Sequence, residues 1–397
     1  MRIISMCVAG VMACALFTGE VSAACQNTGS FESWLRQFKQ EAAAQGISPA
    51  VISSALNGIT LDESVIKADR GQAVFAQSFL TFSDRMVSKN RIEKGNQLLR
   101  KYKAYFDRAE RQYGVPGAVI VAFWGLETDF GANLGNKQTL RSLATLAYDC
   151  RRPDKFREEL LAALRIIERG DLTPEQMRGP WAGEMGQTQF LASNYLKYAV
   201  DFDGDGRRDL INSIPDVIAS TANYLDAIGW KPNQPWLQEV RVPENLPWHQ
   251  SDLDVSHPRS QWVKWGIKPT GNASLPADGV QASLVLPMGR NGPAFLAYDN
   301  FRIYTEWNES LVYSLSAAYF ATRLAGAPPL RRGNAPDALS LSQGRQLQQI
   351  LARRGYDVGK IDGIIGAKTR AAVKDVQQKL GLPADGYPTS ELLTRLN

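Results

Sequence analysis

Histidine is nearly missing from this chain. Among 397 residues there are two, His249 and His257. No zinc-ligand spacing can be built around them. A Ser-His-Asp triad would need one of them, and no G-x-S-x-G nucleophile turn is present. No phosphate-cradling glycine loop occurs either. Charge of one sign is not in excess: 45 Lys and Arg face 40 Asp and Glu, a net charge of +5. No basic run with interleaved aromatics exists, so nucleic acid is not an expected partner. The mild basicity is compatible with attraction to an anionic polymer. What remains for chemistry is carboxylate and amide groups.

Long apolar runs are also lacking, with one exception. Ile3 to Phe17 is apolar, follows Met1 and Arg2, and precedes the small-residue stretch "GEVSAAC". This pattern predicts a secretory signal over residues 1–24, too short to span a membrane. No transmembrane span is expected. Cysteine is scarce. Of four, Cys7 and Cys14 lie in the signal, and Cys25 and Cys150 remain. Two cysteines in an exported chain invite one disulfide. The rival reading is acylation of Cys25, as in a lipoprotein. Against it, Ser22 stands where a lipobox has a large aliphatic residue.

The mature chain of about 370 residues suffices for one large domain and one small one. Residues 31 to 115 read as helical. "SPAVISSALNG" has a Ser48 cap and Pro49 at the first helical position. "NRIEKGNQLLRKYKAYFDRAERQYG" reads as one long amphipathic helix closed by Gly114. Further helices are expected at "VPGAVIVAFWGLETDFG", "DKFREELLAALRIIERG", "IPDVIASTANYLDAIG" and "NESLVYSLSAAYFATRLAG". Between Lys231 and Asp299 the chain turns rich in Pro, Trp and Gly, with short extended pieces. Residues 327–337 carry proline, glycine and charge without periodicity, and read as a linker. Residues 338–397 form a second unit of three helices. The fold class is therefore mainly α with small β or irregular insertions.

Three clusters are candidates for chemistry. In "AFWGLETDFG", Glu127 ends an apolar helix and has Phe123, Trp124, Leu126 and Phe130 around it. Burial without a cation keeps a carboxyl protonated near neutral pH, which suits a general acid. The plainer alternative pairs Glu127 with Arg141 or Arg151. In "GPWAGEMGQTQFLASNY", Gln187, Thr188 and Gln189 supply neutral polar groups beside Trp181 and Phe190, a surface suited to a sugar. In "DFDGDGRRDLINSIPD", Asp201, Asp203 and Asp205 with Gly206 match positions 1, 3, 5 and 6 of an EF-hand calcium loop. The Arg207 carbonyl would be position 7. Asn212 replaces the usual bidentate glutamate, leaving Asp209 or Asp216 to complete the shell. A lone loop of this kind reads as structural calcium.

Taken in order, "AFWGLETDFG", "AYDCRR", "WAGEMGQTQFLASNY", "DFDGDG" and "NFRIYTEWNESLVY" resemble the lytic murein transglycosylases of the membrane-bound B type. The tail "GYDVGKIDGIIGAKTRAAVKDVQ" resembles a three-helix peptidoglycan-binding module. The resemblance implies a lysozyme-like catalytic domain over 25–326 and a wall-binding domain over 338–397. It implies peptidoglycan glycan strands as partner, the periplasm as location, and a monomer. No cofactor is required for the implied chemistry beyond a possible structural calcium ion.

By the same resemblance, Glu127 is the single acid/base. It protonates the glycosidic oxygen and then takes the proton of the muramic C6 hydroxyl, leaving a 1,6-anhydro end. A lysozyme-type hydrolase and a non-catalytic wall-binding scaffold are the alternatives. Gln189, Tyr224, Asn308 and Tyr313 match groove residues, and Arg151 and Arg152 a basic pair for peptide carboxylates. Asp201, Asp203, Asp205, Arg207 and Asp216 make the calcium set. Asp362, Gly363, Gly366 and Thr369 match the module's turn. Its apolar residues, such as Ile361 and Val373, are read as core. Asp129 is expected to point away from Glu127. Pro180 stands where the family has a serine, and Trp307 where it has a tyrosine, a change expected to affect stacking.

Overall fold

The computed structural model describes residues 29–71, 77–271 and 273–397. The expected signal segment and Cys25 lie outside the described residues. The chain opens with α1 (Phe31–Ala44) and α2 (Pro49–Leu56). Pro49 takes the first helical position and the Ser48 hydroxyl accepts from Val51 N–H, as the sequence predicted. Next come α3 (Glu63–Arg70) and α4 (Phe79–Met86). The expected long helix is two: α5 (Lys89–Lys101) and α6 (Lys103–Tyr113), joined at Tyr102 with φ −105° and ψ 23°. The halves follow different neighbours. α5 lies on α7 (Gly117–Thr128) and α14 (Leu311–Leu324), whereas α6 runs along α11 (Ile214–Ala227).

α7 is the central element. Val119 to Gly125 are all buried, so packing on every side overrides the weak helix propensity of its β-branched run. Around it stand α8 (Thr139–Tyr148), α9 (Pro153–Glu168), α10 (Ala192–Tyr198), α11 and α14, which share one apolar core. A short antiparallel ribbon, β1 (Lys137–Gln138) with β2 (Arg178–Gly179), closes the near side.

The Pro- and Trp-rich region forms a five-stranded antiparallel sheet. Its strands are β3 (Leu237–Arg241), β4 (His257–Pro258), β5 (Lys268–Pro269), β6 (Gln281–Val285) and β7 (Ala294–Ala297), in the order β4-β6-β7-β3-β5. With α12 (Arg259–Lys264) it encloses a second core around Trp248 and Trp262. α13 (Asp299–Trp307) leads back to α14.

Residues 325–340 have no helix or strand, yet they are held down. Arg331 N–H donates to Glu239 Oε1 at 2.7 Å, Arg332 pairs with Asp84 at 2.8 Å, and Asn334 N–H donates to the Asn291 carbonyl at 2.8 Å. The C-terminal unit, α15 (Leu341–Arg353), α16 (Ala367–Lys379) and α17 (Ser390–Leu396), has its own core. Val373 belongs to that core, but Ile361 is 44% exposed, against the sequence reading. The unit docks on the larger domain. Arg370 donates to the carbonyls of Leu286 and Pro287, and Lys374 to the Ser251 carbonyl and Asp252.

Candidate active site

Glu127 sits in the last turn of α7, and the chain then leaves the helix under constraint. Asp129 and Phe130 both have positive φ, 53° and 62°. Such a conformation costs a non-glycine residue on the order of 1–3 kcal/mol and persists only where neighbours enforce it. Here Arg91 pairs with Asp129 at 2.9 Å, and Phe130 packs edge-on to Trp124. Thr128 donates to the Gln187 carbonyl at 2.6 Å and accepts from Gly131 N–H at 2.8 Å. Gln187 in turn accepts from Trp124 Nε1 at 2.8 Å and donates to the Ile211 carbonyl at 2.8 Å. The end of α7 is thereby fastened to the "GEMGQTQF" turn. Asp129 faces Arg91 and is no partner of Glu127.

The Glu127 carboxyl meets no cation among the described residues. Arg141 instead donates to the carbonyls of Thr60 and Leu61, and Arg151 engages Asp69. Two neutral donors hold Glu127 Oε1: Trp307 Nε1 at 2.8 Å, and the Tyr313 hydroxyl. Burial pushes the Glu127 carboxyl up to about 7, the two hydrogen bonds oppose this, and the nearby Glu184 carboxyl adds to it. Oε1 is occupied, so Oε2 is the oxygen left to carry a proton toward a substrate.

Glu127 opens on a cleft of about 460 Å³ whose lining includes Trp181, Glu184, Gln189, Tyr224, Trp307 and Asn308. One wall is aromatic. Trp307 lies 4.3 Å from Phe123 and 5.3 Å from Tyr224 between ring centroids, and Tyr224 stacks on Tyr198 at 4.8 Å. Asn194 donates to the Tyr224 hydroxyl at 3.2 Å. Gln189 has φ 53° and donates to the Gly186 carbonyl at 2.9 Å. An acid near neutral pKa beside aromatic surface and neutral amides is a site for protonating a sugar's bridging oxygen.

Comparison with known proteins agrees. The Transglycosylase SLT domain family matches residues 30–322, nearly all of the helical domain and its sheet. The chain belongs to this family, the lytic transglycosylases, peptidoglycan-cleaving lyases. A peptidoglycan binding domain family matches residues 342–396. Membrane-bound lytic murein transglycosylase B of Escherichia coli is 31% identical over 246 residues, which is 60% of this chain and 65% of that protein. The matched part thus spans about two thirds of that relative's length. SltB3 from Pseudomonas aeruginosa, solved in complex with NAG-anhNAM-pentapeptide, is 42% identical with TM-score 0.86, covering 92% of this chain and 99% of that one. The Escherichia coli lytic transglycosylase Slt35, solved in complex with calcium, is 27% identical with TM-score 0.64, covering 73% and 92%.

Within this lytic transglycosylase the other expected residues take distinct places. Gln189, Tyr224 and Asn308 line the cleft. Tyr313 is 7% exposed and bonds Glu127 itself, so it acts on the acid rather than as open groove surface. Trp307 does more than change stacking: its indole N–H is a donor to the acid. That role was readable from residue type, since Trp and Tyr both carry a hydrogen-bond donor. Pro180 lines the cleft and offers no N–H or hydroxyl. Arg151 and Arg152 both engage the buried Asp69 on α3, and neither is among the residues lining this cleft. Glu184 and Lys155 also line the cleft and were not singled out from the sequence.

Asp201, Asp203 and Asp205 bring carboxylate oxygens within 4.8 Å of one another, a donor set that fits a hard cation. Gly204 and Gly206 N–H donate back to Asp201 at 2.8 and 2.9 Å. The Arg207 guanidinium is drawn off to the Asp171 carbonyl. Asp216 stands outside the cluster, against the expectation that it belongs to the calcium set. Its two oxygens accept from Phe202 N–H at 2.7 Å and Asp209 N–H at 2.8 Å, bracing the loop.

In the C-terminal unit the turn residues serve the fold. Asp362 Oδ1 accepts from Ile364 N–H at 2.8 Å, and Gly363 N–H donates to Gln348 at 2.8 Å. Gly366 caps α16, and Thr369 is buried with its hydroxyl on the Val358 carbonyl. Cys150 is disulfide-bonded; its expected partner Cys25 lies outside the described residues.

Proposed function

We propose that this chain cleaves the β-1,4 bond between N-acetylmuramic acid and N-acetylglucosamine, and leaves a 1,6-anhydromuramic end. The observation that carries the reading is Glu127: a carboxyl protonated up to about pH 7, held at one oxygen by Trp307 and Tyr313. Its free oxygen gives a proton to the glycosidic oxygen. Once ionised, the carboxylate is stabilised by the same two donors and takes the proton of the muramic C6 hydroxyl as that oxygen attacks C1. One group thus serves as acid and then base, because the nucleophile belongs to the substrate. The anhydro sugar bound to SltB3 supports the same product here.

A hydrolase reading is favoured by one observation, the second carboxyl Glu184 in the cleft, since inverting glycosidases use a second carboxylate to activate water. Mass spectrometry of digested sacculi separates the two. Anhydro ends, lighter by one water, are expected; reducing ends in their place would overturn the transglycosylase reading.

The same proposal places the protein in the periplasm, exported by residues 1–24, with Cys25 joined to Cys150. No described helix is long and apolar enough to cross a membrane. We assign Asp201, Asp203, Asp205 and the Arg207 carbonyl to a structural calcium ion. The ion would supply charge balance for the loop and take no part in the cleavage.

A further inference from the structure

The cleft beside Glu127 holds a carboxyl that the reaction above does not use. Glu184 lines it together with Trp181, Gln189 and Lys155. Its Oε2 is buried and has no hydrogen-bond partner among the described residues. Lys155 and Arg152 are near enough to attract the group and Glu159 to repel it, yet none of them bonds that oxygen. Arg152 is engaged with Asp69, and Glu159 accepts from Ser193 N–H and hydroxyl at 2.8 Å each.

A buried acceptor without a donor is rare in a folded protein and asks for a reason. A mobile surface acid would swing into water. Glu184 is restrained at the backbone: a Cβ at Gly179 would sit 1.8 Å from its carbonyl oxygen. Beyond it, Met185 and Phe190 exchange both backbone hydrogen bonds at 2.8 and 2.9 Å. The turn therefore holds this carboxyl in the wall of the cleft, with Oε2 buried and without a donor.

We propose that Glu184 is a substrate-contacting residue, whose Oε2 accepts an O–H or acetamido N–H from the N-acetylated sugar in the cleft. The ring's apolar face would rest on the aromatic wall, and its rim donors need an acceptor that water no longer supplies. This inference rests on the cleavage reading. Glu184 lines the same cleft as Glu127 and raises the Glu127 pKa electrostatically, with Tyr313 the other titratable neighbour.

The test uses the full chain and the β-1,4-linked tetramer of N-acetylglucosamine. The tetramer is titrated calorimetrically into the Glu127→Gln protein, with and without Glu184→Ala or Glu184→Gln. Loss of a hydrogen bond to a buried acceptor should weaken binding by about tenfold in Glu184→Ala. Glu184→Gln keeps an acceptor oxygen and should retain most of the affinity. The melting temperature should stay close to level, because the bond lost is a local one to the residue's own backbone N–H. Equal binding with and without Glu184→Ala, or no binding by either protein, overturns the inference. So does a loss of affinity that merely tracks a lower melting temperature. Anhydro products from wild type on sacculi are scored separately, so failure of the reaction and failure of this contact are told apart.

Discussion

The surroundings of Glu127 disfavour its anion. Its ordinary pKa of 4.5 is raised to about 7 by burial, against the pull of Tyr313 and Trp307 and with help from Glu184. General-acid catalysis contributes roughly 10²–10⁴-fold, so Glu127→Gln should lose at least that much activity on sacculi while binding them normally. The free enzyme must hold the proton, so kcat/KM should fall as pH rises through about 7. Trp307→Phe removes a donor that favours the ionised form. The pKa then rises further, and the basic limb should move to higher pH as activity drops. Stability follows the opposite sign from a salt-bridged acid. Stability is fullest below the unfolded pKa and is lost as pH rises through the folded one. Above pH 7, Glu127→Gln should therefore be more stable than wild type by up to roughly 3 kcal/mol, as urea titration would show.

Two elements hold the acid in place, the end of α7 and the turn that follows β2. Gly179, in β2, lies against that turn, and an added methyl would lie 1.8 Å from the Glu184 carbonyl oxygen. Gly179→Ala must push the turn away, at a cost of about 3 kcal/mol, and should lower the melting temperature and activity together. The aspartate loop before α11 is a separate device. Asp201, Asp203 and Asp205 repel one another when no cation is bound, and their backbone donors offset only part of this. Calcium at about 100 times its Kd would add roughly 2.7 kcal/mol. Calcium should raise the melting temperature by several degrees, chelator should reverse it, and Asp201→Ala should abolish the response. Neither treatment should change the anhydro product.

Over the whole molecule, charge and docking are uneven. The chain is net basic, but the catalytic cleft carries Glu127, Glu184, Glu306 and Glu309 against Lys155. Attraction to an anionic wall must then come from the rest of the surface, while the cleft receives neutral sugar. The C-terminal unit is joined through Arg370 and Lys374 to backbone carbonyls and Asp252, and Asp385 accepts from Arg290 N–H at 2.9 Å. Burial draws the Arg370 pKa down, and Tyr387, Asp385 and Asp252 oppose this. Calorimetry of wild type should show coupled melting of the two units. Arg370→Ala with Lys374→Ala should split it into two transitions and leave cleavage of soluble glycan intact.

Local pattern in the chain laid down the helices and their caps and marked Glu127 as a candidate acid. Those follow from local rules: an apolar run around one glutamate, Ser48 before Pro49, aspartates at alternate positions before a glycine. Even there it erred at Tyr102, where one periodic stretch divides because its halves pack on different helices. What surrounds Glu127 is set by packing between distant parts of the chain. Trp307 and Tyr313 lie 180 and 186 residues from Glu127, and nothing local in sequence says that two such donors meet one oxygen. The same holds for Arg151 and Arg152, which share Asp69 some 80 residues earlier as a partner. Burial, and with it the pKa on which the chemistry depends, belongs to the assembled core rather than to any segment of the chain.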